Sequence, residues 1–158
     1  MSALTPAVKD ELASVESSMA SATVAEIATM FRFAGGIHIN SGRVALQAEL
    51  GHAGSARRLR ELVHRVYRVE PELHTVASGS RGAHHYVVRI GRDGERIARR
   101  IGLIDTYGRP VRGLPPTVVG GSKADAAASW RGAFLARRAL LEPGRNASLE
   151  VICPGLEA

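Results

Sequence analysis

VAEIATMFRFAGGIHI, residues Val24–Ile39, joins a helical pattern directly to a strand pattern. Val24, Ile27, Ala28 and Phe31 recur at i, i+3, i+4 and i+7, which makes one apolar helical stripe. Met30 and Phe33 lie off that stripe and are apolar too, so the stretch predicts a helix buried between layers. Gly35 and Gly36 stand where the helix stops, as a C-cap needs. Ile37 and Ile39 then alternate with His38 and Asn40, the period of a strand.

The same pattern returns in ADAAASWRGAFLARRALL, Ala124–Leu141. Phe134 answers to Phe31, Ala136 to Phe33 and Leu140 to Ile37. Val44, Leu46, Ala48 and Leu50 answer in turn to Ala147, Leu149, Val151 and Cys153, and every pair is offset by 103 residues. A helix pattern and a strand pattern repeated in one register imply an internal duplication. Ala128, Gly132 and Ala136, spaced at i, i+4 and i+8, form a strip of small residues that lets two helix backbones approach.

Outward from these two helices, the order reads helix, two strands, helix, two strands, helix. Thr5-Pro6 supplies an N-cap and a first helical residue, and Val8, Leu12 and Val15 carry that first helix to about Glu16. Ser17–Thr23 reads as a small-residue connection. Asn40-Ser41-Gly42 separates the first strand from a second, Arg43–Leu50, a hairpin signal. Ala56–Tyr67 is helical, Glu72–Ser78 a weak strand, His84–Ile90 a strand, and Gly94 opens a helix to about Ile101. The Pro/Gly-rich run DTYGRPVRGLPPTVVGG divides the chain into a first repeat (1–104), a linker (105–121) and the start of a second repeat (122–158). On this division a helix, two strands and a further helix of the second repeat are expected beyond Ala158.

The totals agree with one domain-sized unit: 158 residues, 45% hydrophobic, with aromatics at only 4%, so the core is mostly aliphatic. Net charge is +6, carried by 19 Arg and by Lys9 and Lys123 alone among lysines. Such an excess suits a polyanionic partner, and equally a surface solvated by arginine. The single cysteine, Cys153, excludes an internal disulfide and a multi-cysteine zinc site. MSALTPAVKDEL has no apolar signal core, and no run approaches the ~18 apolar residues of a membrane span, so the reading is a cytoplasmic protein without a membrane partner. Of the six histidines none forms an i, i+4 pair on a helix, and neighbouring His84 and His85 point to opposite strand faces, so no metal is expected. Gly91-Arg92-Asp93-Gly94 lacks the Lys-Ser/Thr of a phosphate loop and reads as a strand-to-helix turn.

VKDELASVE, RFAGGIHI, GRPVRGLPPTVVGGS, WRGAFLARRALLEPGR and SLEVICPG together resemble the WhiA family of sporulation regulators, whose domain is a degenerate LAGLIDADG homing endonuclease. The likeness runs over the whole chain. It implies an α+β fold, an αββαββα unit pseudo-duplicated around two central helices, with the second repeat truncated here. Ser21 and Ala22 depart from cysteines common at those places in the family, and Arg138 from a small residue that usually follows the second central helix.

An active LAGLIDADG enzyme needs a carboxylate at the foot of each central helix to hold divalent metal against the scissile phosphates. The resemblance sets Ala34 and Arg137 at those two places, and the nearest acids, Glu26 and Asp125, lie well back along each helix. A non-catalytic, cofactor-free scaffold is therefore expected. In homing endonucleases the sheet forms a saddle over DNA, and the outward strand positions of this chain would be His38, Asn40, Arg43, Gln47, His85 and Arg89. Asn, Gln and Arg suit base edges and phosphates. Glu49 and Glu150 share that face and oppose phosphate. Arg57, Arg58, Arg60, Arg65 and Arg68 read as the solvated face of a helix.

The expected role is a nucleoid-associated regulator of transcription, sporulation and cell division, with weak DNA affinity here and a transcription-factor partner. The family's main DNA reader is a C-terminal helix-turn-helix. Two other readings remain open: a divergent homing endonuclease, and a pure protein-interaction module.

Overall fold

The computed structural model describes residues 4–79, 82–137, 139–140, 149–151 and 153–156. In chain order its elements are α1 (Leu4–Ala13), α2 (Ala20–Ala34), β1 (Gly35–Asn40), β2 (Arg43–Leu50), α3 (Ala53–Tyr67), β3 (Glu72–Ser78), β4 (Ala83–Ile90), α4 (Gly94–Arg100), α5 (Pro116–Val119), α6 (Lys123–Arg137), β5 (Ala139–Leu140) and β6 (Leu149–Glu150). The first four strands form one antiparallel sheet in the order β1-β2-β4-β3, and β5 pairs with β6 separately. This is the α+β arrangement expected.

Helix α2 is buried on every side: Ile27, Ala28, Met30 and Phe31 have no exposed surface. It begins four residues before Val24, because Ala22 and Thr23 are buried and packing extends the helix into the expected connection. Helix α6 crosses it through the small-residue strip. A Cβ on Gly132 would stand 2.9 Å from the Glu26 carbonyl oxygen and 3.3 Å from Thr29 Cβ, so only glycine allows this approach. The Arg137 Nε then donates to the Phe33 carbonyl oxygen at 2.7 Å, tying the ends of the two helices together.

The duplication is written into the strand register. Gly36 pairs with Gln47 and Ile37 with Leu46, and adding 103 to each number gives Ala139 with Glu150 and Leu140 with Leu149, the pairs that join β5 to β6. The two central helices obey the same offset at both ends. Of the strand alternation expected from Ala147 to Cys153, Leu149 and Glu150 lie in β6, while Ala147 and Arg138 lie outside the described residues.

Several local expectations change. Thr5 is not an N-cap: it lies inside α1 and is buried, and α1 ends at Ala13 with Val15 exposed. Gly35 has an extended backbone, and its glycine is required instead because a Cβ would collide with the Gln47 carbonyl across the β1–β2 ladder. At the hairpin tip Ser41 and Gly42 both take positive φ, 51° and 76°, the two-residue turn that suits twisted strands. His52 caps α3, its ring accepting from the Ser55 N–H, so the helix starts at Ala53. The connector is structured. Ile104 bridges to Pro110, Asp105 accepts the N–H groups of Tyr107 and Arg109, and α5 follows.

Arg58 corrects the solvated-face reading of α3. It is only 7% exposed, and its Nε and Nη2 donate to the two carboxylate oxygens of Glu26 at 2.7 and 3.0 Å. Arg131 of α6 adds a third bond to Glu26 at 3.1 Å, and Arg58 reaches the Ala13 carbonyl. A fully buried carboxylate thus joins α2, α3 and α6, with two guanidiniums compensating its charge.

Candidate nucleic-acid interface

Residues opposite each other in an antiparallel ladder share a face, so the register sorts the sheet without ambiguity. One row runs Gly36, Gln47, Arg89, Glu72 across all four strands. His38 lies opposite Ala45, Asn40 opposite Arg43, and His85 opposite Val76, on the same face as that row. The other face carries Leu46, Ala48, Leu50, Val88 and Ile90, all buried against the helices. All six expected residues, His38, Asn40, Arg43, Gln47, His85 and Arg89, therefore share the face turned away from the core.

They are not gathered into one cluster. Asn40, Arg43 and His38 are exposed at the hairpin end of β1 and β2, whereas Gln47, Arg89 and His85 are half-buried toward the middle. Acids interrupt the face. Glu49 lies opposite Val87, and Glu72 lies opposite Arg89 while bonding the His74 ring at 3.1 Å. Sequence reading missed Glu72 and His74 here. Their period-two spacing was available, but β3 is too polar to reveal which of its faces is covered. The side chain of Glu150 lies outside the described part.

At the feet of the central helices stand Ala34, which is buried, and Arg137, whose guanidinium binds the Phe33 carbonyl. Neither supplies a carboxylate. Glu26 is engaged by two arginines, and Asp125 caps α6, accepting the Ser122 N–H at 2.9 Å. The Ser21 hydroxyl above all, and then Ser122, hold the Asp125 carboxyl below its ordinary value. Among the described residues no three His, Cys, Asp or Glu side chains assemble as a metal would need, and no helix is long and apolar enough to cross a membrane.

Residues 20–104 match the family model of the WhiA N-terminal LAGLIDADG-like domain, more than half of the chain. The chain belongs to that family. It is 54% identical over 157 residues to the probable cell division protein WhiA of Pseudarthrobacter chlorophenolicus, covering 99% of this chain and 48% of that protein. The counterpart from Mycolicibacterium gilvum gives the same identity and coverage. The chain thus spans about half the length of the curated WhiA relatives it matches. Among solved structures, the N-terminal LAGLIDADG domain of WhiA superposes with a TM-score of 0.69 at 15% identity, covering 94% of this chain and 65% of that one. Full-length WhiA from Thermatoga maritima gives 0.58 at 13% identity, covering 87% and 40%. Both support the fold.

Proposed function

We propose that this chain is a non-catalytic, LAGLIDADG-like scaffold of a WhiA-type regulator of transcription, sporulation and cell division. Its parts are a first repeat (1–104), a connector (105–121) and the beginning of a second repeat (122–158). The outward sheet face adds weak, sequence-indifferent DNA affinity, while sequence reading belongs to a separate helix-turn-helix domain and a transcription-factor partner assists. The observation that carries the reading is the register, which puts Asn40, Arg43, Gln47 and Arg89 on one face turned away from the core. The loss of both foot carboxylates, to Ala34 and Arg137, supports a scaffold that does not cut. Glu49 and Glu72 keep the affinity low.

Titration of duplex DNA against salt tests the proposal. Binding is expected at low salt and lost at moderate salt, and Arg43→Gln with Arg89→Gln should lower the slope of log K against log salt by about 2. Tight, salt-insensitive binding to one sequence contradicts it. Absence of binding at low salt favours a pure protein-interaction module, the reading that the exposed Val76 and interleaved acids of the same face support. Supercoiled plasmid with magnesium or manganese should stay intact with the native chain. Nicking abolished by chelator would restore the endonuclease reading.

A further inference from the structure

A recess of about 400 Å³ lies at the feet of the central helices, between α1 and the end of β2. Its wall includes Ala34, Arg137, Lys9, His52, Glu49 and His85. Glu49 and His85 belong to the outward sheet face by register, so the recess opens onto that face. Arg137 spends its Nε on the Phe33 carbonyl, and its two terminal nitrogens meet no acceptor among the described residues. Lys9, 7% exposed, donates to the Leu135 carbonyl at 3.3 Å. The His52 ring is held between Asp10 at 2.9 Å and Ser55 at 3.0 Å.

We propose that this recess is a metal-independent phosphoryl-oxyanion site built on the Arg137 guanidinium, with His85 in the same lining. A guanidinium fixed by one nitrogen keeps its terminal fork free, the geometry that suits two phosphate oxygens. Fixing it in advance lowers the entropy lost on binding. Lys9 lies in the same wall with its ammonium on the Leu135 carbonyl, and Glu49 opposes the anion and limits its affinity. The oxyanion comes either from a DNA backbone phosphate beside the sheet face or from a free phosphorylated ligand. The site shares His85 with the outward sheet face but rests on Arg137, which lies outside that set, so its failure leaves that reading intact.

The test uses the whole chain in EDTA with two probes, inorganic pyrophosphate followed by ³¹P NMR and thermal shift, and a duplex DNA titrated against salt. Pyrophosphate binding, or a DNA salt slope lowered by about 1 in Arg137→Gln, supports the site. The first result points to a free ligand and the second to backbone phosphate. Arg137→Lys should retain part of either signal, and Glu49→Gln should strengthen it, which keeps the proposal testable if Arg137→Gln does not fold. Should pyrophosphate not bind and DNA binding stay unchanged in both Arg137→Gln and Glu49→Gln, with only the melting temperature moved, Arg137 is a helix-end cap and the proposal falls. It also falls if binding requires added magnesium. A DNA response to Arg89→Gln but not to Arg137→Gln, without pyrophosphate binding, keeps the sheet-face reading and removes this one. The opposite pattern does the reverse.

Discussion

Helices α2 and α6 are copies in register and length, yet their surroundings differ. Ile27 of α2 is fully buried, and its mate Trp130 of α6 is 65% exposed. Leu50, at the end of the first hairpin, is fully buried, whereas its mate Cys153 is exposed. The first helix is covered by α3 and the four-stranded sheet on the sides that α6 leaves. Glu26 shows the same divergence: it is a buried carboxylate with two arginines, while its mate Ser129 only donates to the Asp125 carbonyl at 2.9 Å. Duplication thus preserves backbone register while each side chain answers to what covers it.

The largest expected effect is at Glu26. Glu26→Ala strands Arg58 and Arg131 without their shared partner and should cost about 3–5 kcal/mol by urea denaturation. Ser129→Ala should cost about 1 kcal/mol, one hydrogen bond, and equal costs would break the comparison. Next, Ile27→Ala should lose about 2–5 kcal/mol through cavity formation. Its mate Trp130→Ala should stay within about 0.5 kcal/mol, and native Trp130 fluorescence should be quenched readily by iodide. A buried emission spectrum would contradict the exposed position.

Gly132→Val sharpens the comparison at the point where mates meet, since Gly132 faces Thr29 across the crossing. It should cost about 1–3 kcal/mol by overpacking, and retention of wild-type stability would show that the helices can separate. The smallest effect is acid sensitivity. The Ser21 hydroxyl above all holds the Asp125 carboxyl below 3.8, and the Arg109 backbone N–H above all does the same for Asp105. Each carboxyl binds its proton less readily in the folded state. The stability it contributes is complete above the ordinary carboxylate range and is lost as pH falls through the lower folded value. Thermal melts in acid should therefore show a steeper loss for the native chain than for Asp125→Asn. Parallel curves would remove Asp125 as a contributor.

Much of the fold was legible because it rests on periodicity. The two helix patterns, the Asn40-Ser41-Gly42 turn and the apolar alternation of β2 and β4 survive as elements, with boundaries moved by a few residues. The outward positions follow from that alternation alone. Arg58 was misplaced for a definite reason. Among four arginines on α3 and a fifth at its C-cap, sequence spacing does not reveal which one meets a buried acid 32 residues away. His74 and Glu72 were missed because β3 has no apolar face strong enough to set its register without β4.

By itself the sequence determined the repeat of 103 residues, the helix-to-strand junction at Gly35-Gly36, and the absence of carboxylates at positions 34 and 137. These are properties of order and residue type along the chain. Only the tertiary structure decided that Glu26 is neutralised by arginines from two other helices, that Gly132 packs against the Glu26 backbone carbonyl and the Thr29 side chain, and that Arg137 caps α2 while facing a recess. Each depends on groups distant in sequence. Their energies come from burial and charge compensation, which local periodicity does not encode.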